Sequence, residues 1–202
     1  MLKHCPYDKI DPRLLIFTEG DINVSYNLHP ACRNHLVLSP VKHYPEITDL
    51  TYDQVKSLFM AVKRLILFFE PNNSILFWFK GVGRKFKHFH AHYMPLIPEG
   101  FQEVKVDPIL SFTPGIQSMI QAGINEEILE KFFKAIRILK SRENYTTVWK
   151  EGRGIVSPVM VSFPREKYDG LFSRSEKEKE FSLTPEKVFE RAEWLRKRIK
   201  GE

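Results

Sequence analysis

The apolar positions along this chain change period several times, and each change predicts an element. Over residues 55–69 they fall at Val55, Leu58, Phe59, Val62, Leu65, Ile66 and Phe69, the spacing of an amphipathic helix. Thr51 is placed to cap that helix, with Gln54 at the reciprocal position of a capping box. Pro71-Asn72-Asn73 ends it. Upstream, residues 13–18 form a short apolar run, Glu19-Gly20-Asp21 a turn, and residues 22–28 an alternating segment, which together predict a hairpin. Residues 35–39 read as a compact strand stopped by Pro40, and residues 74–80 as a dense aromatic strand. A second helical pattern covers residues 126–141, with Ile128, Leu129, Phe132, Phe133, Ile136 and Leu139 on one face. Residues 145–149 and 155–163 read as short strands. Thr184-Pro185-Glu186 opens a last helix that runs to about Lys200. It finishes in Arg196, Lys197, Arg198 and Lys200, cations suited to the negative end of the helix dipole.

The segment His88-Phe89-His90-Ala91-His92-Tyr93-Met94-Pro95 carries the densest chemistry. In an extended chain the side-chain period is two, so His88, His90 and His92 share one face and Phe89, Ala91 and Tyr93 take the other. Each imidazole has a donor and an acceptor to satisfy, so a row of three is costly in a core. Such a row can bind a metal, bind anions, or supply a nucleophile whose neighbours provide protons and charge. It can also be an exposed strand face. Just before it runs Gly81-Val82-Gly83-Arg84-Lys85. Gly81 and Gly83 can bring backbone N–H groups to an anion, or simply make a turn. Arg84, Lys85 and Lys87 add positive charge there, as phosphate partners or as a solvated turn.

Strands interrupted by one long helix predict an α+β fold with an antiparallel sheet of about five strands over residues 1–105. Beyond that the composition shifts, with Pro108, Pro114 and Gly115 in a loop-rich stretch. Residues 106–202 read as a mixed, mainly helical extension of unknown role. The 202 residues are 43% hydrophobic, enough for a substantial core, and carry a net charge of +6, which favours polyanionic partners. Cys5 and Cys32 make no disulfide framework, which predicts a reducing, cytoplasmic setting. There is no apolar run long enough for a membrane span.

Together these residues carry a family likeness. The H-x-H-x-H row, the run His35-Leu36-Val37-Leu38-Ser39-Pro40 with His43 after it, the helix between, and the lead-in His4-Cys5-Pro6-Tyr7-Asp8-Lys9-Ile10 resemble the histidine triad superfamily over residues 4–98. The fragment from His90 to Pro95 is also similar to galactose-1-phosphate uridylyltransferases, a distant branch. The resemblance implies a nucleotide-binding protein, often dimeric, that cleaves or transfers at an α-phosphate. It implies His90 as the nucleophile and His92 as the group that holds the phosphate oxygens and protonates the leaving group. It implies His88 as the orienter of the nucleophile and His35 as a support behind the triad. Asn27 falls where the family places an acidic residue that grips the ribose, and Lys85 or Lys87 stand near a position that usually carries a small hydroxyl. His43 matches a histidine that, in some members, binds zinc with two lead-in cysteines. Here only Cys5 is present and Asp8 replaces the second. The sequence therefore favours a polar contact at the sheet edge over a tetrahedral site, and no metal or other cofactor is expected.

Three functions follow from this reading. One is a hydrolase acting on nucleoside phosphoramidates, adenylyl conjugates or dinucleoside polyphosphates, favoured by the third histidine. The second is a nucleotidyltransferase or phosphorylase, which uses the same covalent intermediate with a different acceptor. The third is a nucleic-acid end-processing or RNA-binding protein, with the basic last helix as the holding surface.

Overall fold

The computed structural model describes residues 5–30, 32–69, 86–95, 129–130, 133 and 183–202 in full, and residues 75–80, 145–150 and 158–161 by backbone and register. Seven strands form one antiparallel sheet: β1 (Leu15–Glu19), β2 (Ile22–Tyr26), β3 (Leu36–Pro40), β4 (Ile75–Lys80), β5 (Ala91–Met94), β6 (Tyr145–Lys150) and β7 (Pro158–Val161). Their spatial order is β1-β2-β3-β5-β4-β6-β7. Among the described residues, the helices with both ends in view are α1 (Tyr52–Phe69) and α2 (Pro185–Lys200), with a short 3-10 turn at Ile47–Asp49. No described helix is long and apolar enough to cross a membrane.

The hairpin forms as the alternation predicts. Gly20 takes φ +51° in its turn, and a Cβ there would run into the Ser57 hydroxyl on α1, so the turn and the helix need glycine at this approach. The alternation also divides the sheet into two faces. Ile22, Val24 and Tyr26 lie beside Leu36 and Leu38, which lie beside Tyr93 and Ala91. All are buried, together with Val55, Leu58, Phe59, Val62, Leu65 and Ile66 of α1. The opposite face carries Asn27, His35 and His92.

Helix α1 starts with the capping box that the sequence predicts. Gln54 Oε1 accepts from the Thr51 N–H at 2.9 Å, and Thr51 Oγ1 accepts from the Gln54 N–H at 3.3 Å. The Gln54 amide then donates to the Tyr44 hydroxyl at 2.9 Å, so the cap also fixes the loop that carries His43.

The sheet is wider than the expected five strands. Residues 15–94 supply five, and β6 and β7 continue the sheet beyond β4. The β4–β6 ladder runs from Ile75 opposite Lys150 to Lys80 opposite Tyr145, so the outer edge of β4 is paired along its length. The second half of the chain joins the same core elsewhere too. Leu129 is fully buried in it, and Phe133 meets Tyr52 edge-on at 5.8 Å. The rest of the predicted helix at 126–141 lies outside the described residues.

Helix α2 buries Val188, Ala192 and Leu195, one residue per turn, against that core. Thr184 and Pro185 open it, and Gly201 closes it at φ +80°. Arg196 fixes it to the start of the chain. Its guanidinium donates to the carbonyls of Leu15 at 2.7 Å and of Pro12 and Arg13 at 2.9 Å. Removing it leaves three carbonyls without that donor. Arg196→Ala should therefore cost about 1–3 kcal/mol in urea unfolding. Lys197→Ala, next in sequence and paired with solvent-exposed Glu193 on the same helix, should leave the midpoint unchanged. Equal effects of the two changes would contradict the anchoring role.

Candidate active site

Strand β5 is shorter than the histidine row. It begins at Ala91, so His88 and His90 lie on its approach and only His92 is within it. The reason is at Phe89, whose N–H donates to the Tyr44 carbonyl at 2.6 Å and leaves the ladder. The row consequently splits. The His88 ring joins His43, at 4.6 Å between ring centres, while the His90 ring stays beside His92, at 5.2 Å and nearly perpendicular.

His90 is half-buried, and its proton can be placed. Its Nδ1 lies 2.8 Å from the His88 backbone carbonyl. A carbonyl only accepts, so Nδ1 carries a hydrogen, and in the neutral ring Nε2 is the basic nitrogen. The bond that orients His90 thus comes from the main chain of His88, not from its ring. Tyr7 stacks on the same ring, 4.4 Å between centres and 26° from parallel.

Behind His92 stands His35, which is buried. Its Nε2 is 3.0 Å from His92 Nδ1. Burial pushes the His35 pKa down to about 3. Burial first, then the positive character of His35 and His90, holds His92 well below the ordinary histidine value. Two neutral rings therefore share one hydrogen bond, one donating and one accepting. Asn27 is the third member. Its Oδ1 accepts from the His29 N–H at 2.9 Å, which turns its NH2 toward His35, at 3.5 Å from Nδ1 and 3.3 Å from Nε2. An amide NH2 only donates.

The ring of His88 belongs to a second group. Cys5 Sγ, Asp8 carboxylate, His43 Nδ1 and His88 Nδ1 all lie within 4.8 Å of one another. His88 makes the cluster informative, because both of its nitrogens face oxygen atoms. Nε2 is 3.2 Å from the Pro40 carbonyl and Nδ1 is 2.9 Å from Asp8 Oδ1. Burial pushes the His88 pKa down, so a doubly protonated ring is disfavoured. With one proton the ring can donate to the Pro40 carbonyl or to the Asp8 carboxylate, and its other nitrogen then turns a lone pair toward an oxygen. That carboxylate is itself held below the ordinary range, first by its hydrogen bond to His43. Two electron-rich atoms in contact repel unless a cation stands between them. A buried imidazole that donates to a carbonyl and offers its other nitrogen to thiolate, carboxylate and imidazole is a metal ligand's arrangement. The Cys5–His88 distance of 3.6 Å matches the ligand separation of about 3.5 Å in a tetrahedral zinc site. The His43–Asp8 distance of 2.7 Å is shorter, so the carboxylate would draw back to admit an ion. Cys5, Asp8, His43 and His88 thus fit a zinc-type cation. The sequence favours a polar contact here because only three donors can be seen in it. His88, assigned to the triad by its spacing, is the fourth.

Among the remaining sequence-predicted residues, Lys87 is exposed beside the row, and Gly81, Gly83, Arg84 and Lys85 lie outside the described residues. Tyr7 escapes the sequence reading, although its place between Cys5 and Asp8 is the signal that could have found it.

No protein-family model and no curated protein matches the sequence. Solved structures do match. Yeast Ap4A phosphorylase Apa2 in complex with Ap4A superposes with a TM-score of 0.54 at 16% identity, over 98% of this chain and 80% of that one. A uridylyltransferase mutant gives 0.53 at 14% identity, over 98% and 92%. A galT-like protein from Arabidopsis thaliana gives 0.53 at 13% identity, over 95% and 90%. These are structures of the histidine triad superfamily, and this chain shares their fold.

The buried histidines give stability a pH dependence. His35 titrates at about 3 in the folded chain against 6.5 when unfolded, so the unfolded chain binds the extra proton between those values. Stability is complete above the unfolded value and falls as pH drops through that window. Urea midpoints should decline from neutral pH to about pH 4, and His35→Gln, which cannot titrate, should flatten the decline. An unchanged slope in His35→Gln would show that His35 is not held neutral by burial.

Proposed function

We propose that this protein is a nucleotide-processing enzyme in which His90 takes a nucleotidyl group from an α-phosphate and passes it to an acceptor. One observation carries the reading. The 2.8 Å bond from His90 Nδ1 to the His88 carbonyl orients the ring and makes Nε2 the nitrogen available as nucleophile when the ring is neutral. Nε2 attacks the α-phosphorus in line, the P–N bond forms, and the bond to the leaving group breaks. The phosphoryl-imidazolium keeps its Nδ1 proton, and the carbonyl dipole stabilises the new positive charge. Water or another acceptor then attacks the same phosphorus and releases His90.

His92 supplies the hydrogen bond. The Asn27 NH2 stands beside the His35 ring, 3.5 Å from Nδ1 and 3.3 Å from Nε2, and in this reading His35 Nε2–H donates to His92 Nδ1, so that His92 holds its proton on Nε2. That proton serves a phosphoryl oxygen or the leaving group. This chain of donors works with neutral rings, which is what burial enforces. The second N–H of Asn27 is left to reach a ribose hydroxyl, and Lys85, Lys87 and the N–H groups near Gly81 and Gly83 serve the phosphates. When bound, a zinc-type ion at Cys5, Asp8, His43 and His88 supplies a structural cross-link between the lead-in and the histidine row.

The acceptor separates two readings. A third histidine in the row supports water, hence a hydrolase of nucleoside phosphoramidates, adenylyl conjugates or dinucleoside polyphosphates. The shared fold with Ap4A phosphorylase and uridylyltransferases supports inorganic phosphate or a sugar phosphate instead. Product analysis with adenylyl and uridylyl donors, with and without these acceptors, decides between them.

His90→Ala should lose at least about three orders of magnitude in turnover while unfolding at the wild-type midpoint. Asn27→Ala should lower kcat roughly 10- to 100-fold through the misdirected His35–His92 pair. A change confined to KM would assign Asn27 to the ribose alone.

A further inference from the structure

Tyr7 stands between two of the four clustered donors and touches the nucleophile. The Asp8 N–H donates to the Cys5 carbonyl at 3.2 Å, so one tight turn presents both Cys5 and Asp8 with Tyr7 inside it. Asp8 reaches His43 and His88, and Cys5 reaches His88. The Tyr7 ring completes a corner with edge contacts to Phe86 at 6.2 Å and His88 at 5.9 Å, and lies flat on His90 at 4.4 Å.

We infer that a divalent cation held by Cys5, Asp8, His43 and His88 locks this turn where Tyr7 stacks on His90, which makes Tyr7 a positioning residue for the nucleophile. The inference rests on the reading of His90 as that nucleophile. The hydrogen bond from Nδ1 to a carbonyl fixes the imidazole along the bond axis, and an aromatic ring packed flat against it restricts tilt about that axis. The stack covers the π face only. The Nε2 lone pair lies in the ring plane, outside the stack. A nucleophile held to a narrow cone is what fast in-line attack requires. The cluster also explains why this turn should respond to a cation. Asp8 Oδ1 lies 2.9 Å from His88 Nδ1 and 2.7 Å from His43 Nδ1, and Cys5 Sγ lies 3.6 Å from the same His88 nitrogen, so an ion bound there would join both ends of the turn to the two histidines. With one, the two ends of the turn are ligated and Tyr7 has no route away from His90. Cys5 and Asp8 thereby act on the chemistry without touching substrate.

The test uses the full-length protein with selectively labelled histidine, followed by NMR, with zinc as the probe. Metal analysis comes first and should show one zinc per chain, lost in Asp8→Ala. In the zinc-loaded protein the ring protons of His90 should be shifted upfield by the Tyr7 ring current. Tyr7→Leu should abolish that shift, and Tyr7→Phe should retain it. Stripping zinc with a chelator at fixed pH should move the wild-type signal toward that of Tyr7→Leu. The move should be much smaller in Tyr7→Leu itself, a double difference that isolates the contact from any general effect of charge. In turnover, Tyr7→Leu should lower kcat roughly tenfold to a hundredfold with little change in KM, and Tyr7→Phe should restore it. The inference is overturned if no zinc binds, if the His90 signal ignores Tyr7, or if it ignores zinc while depending on Tyr7. A protein that shows the coupled shift yet turns over no nucleotide supports the lock and counts against the nucleotidyl reading alone.

Discussion

The bond from His90 Nδ1 to the backbone carbonyl of His88 organises the rest of the site. It places a hydrogen on Nδ1, and so makes Nε2 the nitrogen that the proposed reaction uses. It requires the chain at 88–90 to leave strand geometry, which the Phe89 N–H achieves by bonding to Tyr44. That departure in turn swings the His88 ring away from His90 and into the group formed with Cys5, Asp8 and His43. A single main-chain detour thus sets the His88 ring among Cys5, Asp8 and His43 and keeps the His90 ring beside His92. Its cost is small because Phe89, Ala91 and Tyr93 remain buried against α1 on the other face.

The core beneath the site belongs to both halves of the chain. Residues 15–94 build five strands and the long helix, yet the same apolar cluster includes Leu129, Val188, Ala192 and Leu195. Helix α2 is tied to the lead-in by Arg196, which grips the carbonyls of Pro12, Arg13 and Leu15 a few residues after the turn that carries Cys5, Tyr7 and Asp8.

What could be read from the sequence divides along local and non-local lines. The capping box of Thr51 and Gln54, the buried stripe of α1, the hairpin at Gly20 and the proline-opened helix ending at Gly201 are set by residues within a few positions of each other. Each is visible as a pattern. The pairing of β6 with β4 joins residues some seventy positions apart, and nothing in either strand names its partner. The same limit applies to the site. The spacing of His88, His90 and His92 announces a shared face but not the bend at Phe89 that divides it. Asn27 can be placed opposite His35 only once the register of β2 and β3 is known. The turn of its NH2 toward His35 follows from the His29 N–H occupying its carbonyl oxygen, a contact without a sequence signature.

Covalent nucleotidyl transfer to Nε2 of His90 is the claim on which the account stands, and mass spectrometry of the quenched protein addresses it most directly. Incubation with adenylyl, guanylyl and uridylyl compounds, followed by acid-free quenching and peptide mapping, should show one nucleotidyl group added to the peptide that contains His90. That adduct should be absent from His90→Ala. An adduct located on another residue, or turnover of these compounds that persists in His90→Ala, would contradict the account.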